Sequence, residues 1–340
     1  MQKFCFDLLC ACKVPEEDAK IVTTVILDTS LEGLDTHGLS RLPQYLISMR
    51  KGRINPKPNI KIQNNNALVG IDGDNGLGQL LAERAMNEAI KAAVQHGIGL
   101  ATVNHSNHFG AASYYCKMAA NKQMLGIVFT NAPSAVAPWG GKGPYFGTNP
   151  VAFGVPFKEN SVIIDLSSSA VARGHIILAA KEGKAIPLGW ALDQDGKPTT
   201  DPKEALNGAL LSLGGAKGYA LALGVEVMAG ILSGSAFGEN VGFIYDDGQD
   251  PVDIGHTFIA IDVARLMPME TFYQRMENMI AGIKAVPLAE GFSEIRIPGE
   301  RRHKIAHERL INGIPINATL LEELKGLASE LGVEYLKEEQ

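Results

Sequence analysis

The densest group of potentially catalytic side chains lies in the segment Asp35–Tyr45, DTHGLSRLPQY. It places the imidazole of His37, the guanidinium of Arg41 and the phenol of Tyr45 within nine positions. A guanidinium is the planar, two-pronged donor that suits a substrate carboxylate, and an imidazole exchanges protons near neutral pH. The same segment could instead be a helix start with Asp35 or Thr36 as its cap. The spacing alone leaves both interpretations open.

A second group of polar side chains, NHSNHFG at Asn104–Gly110, follows a strand-like run. Residues at strand ends in α/β proteins often line a ligand crevice. His105 and His108 are three positions apart, but no neighbouring carboxylate or cysteine completes a ligand set, so we expect no metal. A neutral imidazole could take the proton of a substrate hydroxyl as hydride leaves the same carbon. The alternative is a half-buried histidine with no chemical role.

Two glycine-rich segments match phosphate-binding loops only in part. Gly76-Leu77-Gly78 lacks the third glycine of the GxGxxG motif and a convincing preceding strand, so a Rossmann fold is not predicted. Gly140-Gly141-Lys142-Gly143 lacks the Ser or Thr that follows lysine in a Walker A loop and the glycine five positions before Gly141. These glycines could simply form turns.

Composition and charge favour a small-molecule partner. The chain has 340 residues and 46% hydrophobic content, enough for two packed domains. Its 31 basic and 37 acidic residues give a net charge of -6, and it has no Lys/Arg-rich block. Nucleic acid is therefore not an expected partner. No run approaches 18 uninterrupted apolar residues, so no membrane partner is expected either.

The cysteines and the N-terminal sequence indicate a cytoplasmic protein. The four cysteines, none in a CxxC pair, are typical of reduced thiols in a cytosol: Cys5, Cys10, Cys12 and Cys116. The opening MQKFCFDLLC lacks the apolar core and small-residue cleavage site of a secretory signal.

Hydrophobic periodicity predicts helices at both chain ends and an α/β region between them. A helix is expected from Pro15 to about Leu31, and a last helix carries a leucine stripe between a Thr319/Glu322 capping box and Gly332. The Pro- and Asn-rich stretch 55–66 is interpreted as a linker. Strand-like runs follow at 67–71, 98–103, 126–129, 162–165 and 258–261, with a helix at 80–95. We therefore expect a helical domain, 1–60 with 265–340, and an α/β domain, 61–264.

Seven blocks together resemble the malate/L-lactate dehydrogenase family, which is distinct from the Rossmann malate and lactate dehydrogenases. They run in family order from Asp35 to Glu300: DTHGLSRLPQY, NHSNHFGAASYY, APWGGKGPYFGTNPVAFGVP, IIDLSSS, GWALDQDGKPTTDP, GGAKGYALALGVEVMAGILSG and RIPGE. The resemblance implies a non-Rossmann α/β (α+β) fold with a largely antiparallel sheet in the NAD(P)-binding domain. It also implies a homodimer with active sites near the subunit interface.

The resemblance assigns roles to the polar groups described above. His108 matches the family's catalytic acid/base, Arg41 the arginine that clamps the substrate carboxylate, and Tyr45 a tyrosine of the same pocket. His37 matches a histidine that acts as proton donor beside a serine in some relatives. Here Thr36 replaces that serine, which keeps the hydroxyl and leaves the role of His37 open.

The resemblance also points to a set of cofactor-binding residues: Asn131, Asp165, Leu166, Ser167, Lys217, Gly218, Pro298, Gly299 and Glu300. Asn131 lies in TNAPSAVAP, which is rearranged relative to the usual TNxSP order. NAD is favoured over NADP because no arginine cluster adjoins IIDLSSS, with Arg173 the one nearby exception.

Family membership leaves the 2-hydroxy or 2-keto acid open. Members oxidise malate, lactate, sulfolactate or ureidoglycolate, or reduce diketogulonate or cyclic imino acids. The stretch that begins ARGHIILAAKEGKAIPLGWALDQDGKPTTDP is most similar to malate dehydrogenases, so malate/oxaloacetate is the expected pair. A catalytically silent, ligand-binding dimer is the alternative of another class, and the presence of His108 and Arg41 argues against it.

Overall fold

The computed structural model describes residues 1–158, 160–245, 248 and 250–335. Three helices come first, with a single 3-10 turn, Leu39–Arg41, before the third: α1 Gln2–Ala11, α2 Glu16–Leu31 and α3 Leu42–Arg50. The first turn of α2 is acidic, which suits the positive end of its dipole. The predicted helix at 15–31 is therefore present.

Strands and helices then alternate through the middle of the chain. In order they are β1 Lys61–Asn65, β2 Leu68–Asp72, α4 Gly78–His96, β3 Ile98–Ser106, α5 Ala112–Ala120, β4 Met124–Thr130, β5 Val151–Val155, β6 Val162–Leu166, α6 Arg173–Glu182, β7 Ala191–Leu192, β8 Pro198–Thr199, α7 Pro202–Asn207, β9 Ala209–Leu210, α8 Ala216–Glu226 and β10 Ile254–Asp262. The last helices are α9 Met269–Lys284, α10 Glu300–Asn312 and α11 Ala318–Leu331.

Seven of these strands form the main sheet, in the order β1-β2-β3-β10-β4-β5-β6. Every described pairing in it is antiparallel except β2 with β3. The late strand β10 lies between β3 and β4, where Phe258 is opposite Ala101 on one side and Val128 on the other. The expected non-Rossmann, largely antiparallel fold is confirmed. Three short strands form a second sheet, in the order β8-β7-β9.

Helices α4 and α5 cover one face of the main sheet. Small residues let α4 approach closely, because a Cβ on Gly99 of β3 would lie 2.0 Å from the carbonyl oxygen of Ala89. The core between them contains Met86, Tyr115 and Phe258, all fully buried. This packing fixes the two ends of β3 relative to α4.

A second core joins the two ends of the chain. Leu8 and Leu9 of α1, Leu46 of α3 and Leu324 of α11 are all fully buried in it. The leucine stripe predicted for the last helix lies in this core. Helices α9 and α10 lie outside this core: Met276, the one buried residue of α9, does not belong to it, and α10 has no buried residue.

Two local predictions were wrong. The stretch 55–66 contains strand β1, whose five exposed side chains give no apolar alternation because it is an edge strand held to β2 by its backbone. Asn317, not Thr319, caps α11, since its side chain accepts a hydrogen bond from the backbone N–H of Leu320. The predicted C-terminal Gly332 is present, with a φ of 69°.

No helix in the described ranges is both long enough and apolar enough to cross a bilayer.

Candidate active site

The polar segment after α2 folds back on that helix and then starts α3. Gly38 makes the fold-back possible, because a Cβ there would lie 2.1 Å from Oγ of Ser30. The same hydroxyl accepts a hydrogen bond from the backbone N–H of Leu39. Arg41 and Tyr45 are four positions apart across the start of α3 and so lie on one side of it. The side chains of Arg41 and Tyr45 therefore reach the same pocket.

His108 lies in the loop after β3, and the start of α4 clamps that loop. Asn107 donates from its amide to the carbonyl oxygens of Asn75 and Gly76, at 3.0 and 2.9 Å. Gly78, the first residue of α4, has no room for a Cβ, which would lie 2.1 Å from the carbonyl oxygen of Asn107. The loop is therefore held in place at the residue that precedes His108.

The structure brings the four predicted catalytic residues together. The hydroxyl of Tyr45 lies 2.7 Å from Nδ1 of His108, a hydrogen bond that joins α3 to the loop after β3. The rings of His37 and His108 are 5.6 Å apart, centroid to centroid. Oγ1 of Thr36 lies 2.9 Å from Nδ1 of His37, and Nε of Arg41 donates to the carbonyl oxygen of Thr36 at 2.5 Å. The hydroxyl of Thr36, which stands where some relatives have a serine, therefore contacts the ring of His37.

Burial and positive neighbours keep both imidazoles neutral. Burial lowers the pKa of His108 well below 6.5, and the nearby His37 and Arg41 lower it further. Burial and the charge of Arg41 also lower the pKa of His37. Burial raises the pKa of Tyr45, so its hydroxyl stays protonated and can donate or accept a hydrogen bond. The pocket therefore contains a neutral base beside a fixed cation.

Sequence reasoning missed a third histidine, His256, under the loop that carries His108. Its ring is fully buried in β10, stacks on Phe109 at 4.6 Å between centroids, and is bonded at both nitrogens. Nδ1 is 2.8 Å from Oγ1 of Thr130, and Nε2 is 2.8 Å from Oγ of Ser106. Burial lowers the pKa of His256 to about 3. A polar residue at the start of an apolar β-type run was the available signal.

The two histidines of NHSNHFG diverge. His105 is exposed, with Nδ1 2.9 Å from a carboxylate oxygen of Asp72, while His108 faces Tyr45. Within the described residues, no three His, Cys, Asp or Glu side chains gather in a way that could hold a metal ion.

Most of the predicted cofactor residues lie along and beyond strand β6. Asp165 and Leu166 end this strand and Ser167 follows it. Pro298 accepts a hydrogen bond from the backbone N–H of Ile163 at 3.2 Å. Gly299 has a φ of 101°, and a Cβ there would lie 3.0 Å from the same nitrogen. The RIPGE block therefore lies beside β6.

The start of α8 adjoins the same region. The backbone N–H of Leu213 donates to the carbonyl oxygen of Ser168 at 2.9 Å, which places the GGAKG turn next to IIDLSSS. A Cβ on Gly218 would lie 1.9 Å from the carbonyl oxygen of Leu213, so this turn excludes any larger residue. Lys217 and Gly218 are thereby brought near Ser167 at the level of their backbones.

Asn131 has a different environment from the other predicted cofactor residues. Its buried amide donates to the carbonyl oxygen of Ala236 at 2.8 Å and accepts from the backbone N–H of Gly255 at 2.9 Å. The buried carboxylate of Glu226 accepts from the amides of Asn131 and Asn149. The side chain of Asn131 is therefore engaged within the protein and holds the residue before His256.

Comparison with known proteins identifies the family. The model of the malate/L-lactate dehydrogenase family matches residues 1–325. The chain belongs to this family. The L-sulfolactate dehydrogenase of Methanocaldococcus jannaschii is 41% identical over 98% of this chain and 96% of that protein. The malate dehydrogenase of Pyrococcus horikoshii is 39% identical over 95% and 91%. The ureidoglycolate dehydrogenase of Escherichia coli K12 is 31% identical over 91% and 88%.

Solved structures agree with this assignment. The M. jannaschii sulfolactate dehydrogenase superimposes with a TM-score of 0.92, covering 98% of this chain and 96% of that one, at 41% identity. The P. horikoshii malate dehydrogenase gives a TM-score of 0.89 at 37% identity, with 98% and 94% covered. The expected family is confirmed, and with it the enzyme class of NAD(P)-dependent 2-hydroxyacid dehydrogenase.

Two residues of α10 contact strand β6 and the residue before it. Arg302 lies 3.3 Å from a carboxylate oxygen of Asp165. Nε2 of His303 lies 3.0 Å from the carbonyl oxygen of Ser161. In this dehydrogenase, α10 therefore contacts strand β6 at Asp165 and at Ser161, the residue before the strand.

Proposed function

We propose that this family member transfers hydride between NAD and C2 of malate or oxaloacetate. One observation carries the proposal: a neutral imidazole, His108, is hydrogen-bonded to Tyr45 in the same pocket as Arg41. Such a reaction needs a fixed cation for the substrate carboxylate and a base for the C2 hydroxyl. Arg41, at the start of α3, and His108, in the loop after β3, can supply the two.

Arg41 binds the C1 carboxylate in this proposal. Its Nε is committed to the carbonyl oxygen of Thr36, which fixes the plane of the guanidinium. The two terminal nitrogens have no hydrogen-bond or ionic partner in the part of the chain that the structure describes. They can therefore form two parallel hydrogen bonds to a carboxylate.

His108 transfers the proton. With Nδ1 engaged by Tyr45, Nε2 is the ring nitrogen left for the substrate. In hydroxy acid oxidation it accepts the proton of the C2 hydroxyl, and in keto acid reduction the imidazolium returns a proton to the C2 oxygen. His37, 5.6 Å away between ring centroids, orients the substrate in this proposal.

The residues near β6 and α8 fit a dinucleotide. The backbone N–H groups of Lys217 and Gly218 lie in the first turn of α8, where they have no helical acceptor, and Lys217 has no ion pair within the described ranges. This donor set suits a diphosphate. In the proposal Asp165, Leu166, Ser167, Pro298, Gly299 and Glu300 line the remainder of the cofactor site. When bound, NAD(H) accepts or supplies the hydride. Asn131 acts indirectly, through its bond to Gly255.

Sulfolactate is the second candidate substrate. Relatives that are 41% identical to this chain are named L-sulfolactate dehydrogenase and, in Methanothermus fervidus, malate/(S)-sulfolactate dehydrogenase. Malate and sulfolactate share the 2-hydroxy acid group and differ in the second anionic group, a carboxylate or a sulfonate. The site proposed above contacts the shared part, so it is compatible with both.

We further propose a homodimer. Several large apolar side chains of α8 and the π-helical turn that follows it are exposed in the single chain: Leu221, Leu223, Val227, Ile231 and Leu232. Helices α9 and α10 expose Met279, Ile283, Leu310 and Ile311. Exposed apolar patches of this kind favour an interface between subunits.

We also propose a cytoplasmic location. All four cysteines are free, which suits a reducing compartment.

A panel of 2-keto acids tests the proposed function. Oxaloacetate, sulfopyruvate, pyruvate and a ureidoglycolate assay would each be run with NADH and NADPH, or the oxidised forms, and followed at the nicotinamide absorbance band. We expect the highest kcat/KM for oxaloacetate with NADH. Sulfopyruvate ahead of oxaloacetate would reverse the order of the two candidates. A markedly lower KM for NADPH would overturn the cofactor preference, and absence of turnover with every acid would overturn the proposal.

A further inference from the structure

An aromatic ring from a distant part of the chain covers the guanidinium of Arg41. The central carbon of that guanidinium lies 5.5 Å from the centroid of the Tyr245 ring, within the range of a cation–π interaction. The ring of Phe243 lies 5.7 Å from that of Tyr245 in the same segment. Neither residue belongs to a helix or strand, so their positions depend on what anchors the backbone.

Two side chains associated with α3 anchor this segment. Arg53 is 2% exposed and donates to the carbonyl oxygens of Phe243 and Ile244, at 2.6 and 3.2 Å. The amide of Gln44 donates to the same oxygen of Ile244 at 3.0 Å. Burying a guanidinium is costly unless its donors are used, so this arrangement specifies one position for the backbone before Tyr245. The helix that presents Tyr45 thus also fixes Tyr245.

The contacts of Arg41 leave one edge of its guanidinium for a ligand. Nε donates to the carbonyl oxygen of Thr36 and the ring of Tyr245 covers a face. The terminal nitrogens remain, and these are the two that a carboxylate can bind in parallel. A guanidinium held at one edge and on one face loses little rotational freedom when the carboxylate arrives, which favours affinity.

We propose that Tyr245 is a positioning residue for the carboxylate clamp: its ring holds Arg41 in the orientation that binds the C1 carboxylate of every substrate. The inference rests on the proposed function, in which Arg41 binds that group. It concerns the part of the substrate that all 2-keto acids share. Tyr245 therefore contributes to affinity and does not select among acids that differ beyond C2.

Three variants separate the ring from its hydroxyl and from its neighbour. Tyr245→Phe keeps the aromatic face, Tyr245→Leu removes it at similar bulk, and Phe243→Leu removes a ring of matching exposure, 47% against 48%, that does not cover Arg41. We expect Tyr245→Leu to raise KM for oxaloacetate, sulfopyruvate and pyruvate alike by about three- to tenfold, the size of one cation–π contact. kcat and KM for NADH should change less than about twofold. Tyr245→Phe and Phe243→Leu should remain close to wild type.

A double-mutant cycle tests whether Tyr245 acts through Arg41. Arg41→Lys keeps the charge and loses the planar fork, so adding Tyr245→Leu to it should cost little more. Full additivity, an unchanged KM in Tyr245→Leu, or a loss confined to one acid would overturn the inference. Calorimetric titration of oxalate, which has a carboxylate and no reducible C2, gives the same comparison without turnover. If the wild-type protein reduces no acid and Tyr245→Leu still binds oxalate more weakly than the wild type does, only the proposed function is refuted.

Discussion

The surroundings of His108 set the pH range in which it can act as a base. Its Nδ1 is bonded to a phenol that burial keeps protonated, and its neighbours His37 and Arg41 disfavour a second positive charge. All of these effects stabilise the neutral imidazole. His108 is therefore held in its base form, the form that hydroxy acid oxidation requires of a proton acceptor.

The pH profile of hydroxy acid oxidation should show the lowered pKa of His108. Because the pKa of His108 is lowered, its base form persists below pH 6.5, and kcat/KM should stay level at that pH and fall only at lower values. Sulfolactate is a suitable substrate if it is turned over, since it stays fully ionised through this range. An acid limb at or above pH 6.5 would mean that a base with an unperturbed or raised pKa controls the rate.

At the level of single residues, the sequence indicated which side chains could belong to the site but not which side chains they contact. The proximity of Arg41 and Tyr45 follows from helical spacing. His37 lies in the turn before Gly38, and its position, like the approach of Tyr45 to His108, depends on how the chain folds. The contacts of Arg302 with Asp165 and of Tyr245 with Arg41 were not predictable, because the partners in each pair are far apart in the sequence. No motif in the sequence around Arg302 or Tyr245 indicates these contacts.

Strand β10 supports the loop that carries His108. It enters the sheet between β3 and β4 and brings His256 under the loop that carries His108. The sequence predicted a strand at 258–261 but not its place in the sheet, since a late strand can pair with any exposed edge. The edge strand β1 was missed because its polar side chains face solvent on both sides.

Burial of His256 should make folding stability depend on pH. The folded protein holds this imidazole neutral down to a pKa of about 3, whereas the unfolded chain protonates it near 6.5. Between these values the unfolded state binds one more proton, so stability falls as the pH falls, by up to about 1.4 kcal/mol per pH unit. Urea unfolding between pH 7 and pH 5 measures the slope. The variant His256→Gln should reduce that slope by about one proton, whatever its absolute stability, and an unchanged slope would contradict the assignment.

At the scale of the molecule, two cores meet at the candidate catalytic pocket. One joins the chain ends through α1, α3 and α11, and the other joins α4 and α5 to the main sheet. Tyr45 belongs to the first and His108 to the loop over the second, so the hydrogen bond between them crosses from one core to the other. The division into domains 1–60 with 265–340 and 61–264 stays a prediction, and it would place the site at the domain boundary.

Association should be linked to activity if the proposed dimer completes the cofactor site. Dilution below the dimer dissociation constant should then lower specific activity, and saturating NADH should restore the dimer by mass action. Sedimentation velocity with parallel assays over the same concentrations measures both. A fully active monomer with bound cofactor and no dependence on concentration would contradict a shared site and leave the dehydrogenase assignment intact.

The most direct test of the proposed chemistry is turnover of oxaloacetate with NADH by wild type, His108→Ala and His37→Gln, with NADH affinity measured alongside by fluorescence. Loss of the proton-transfer group should lower kcat of His108→Ala by about 10²- to 10⁴-fold, with NADH affinity little changed. His37→Gln should lose less, because it keeps a polar group in an orienting position. Near wild-type turnover of His108→Ala would contradict its role, and a larger loss in His37→Gln would assign proton transfer to His37 instead.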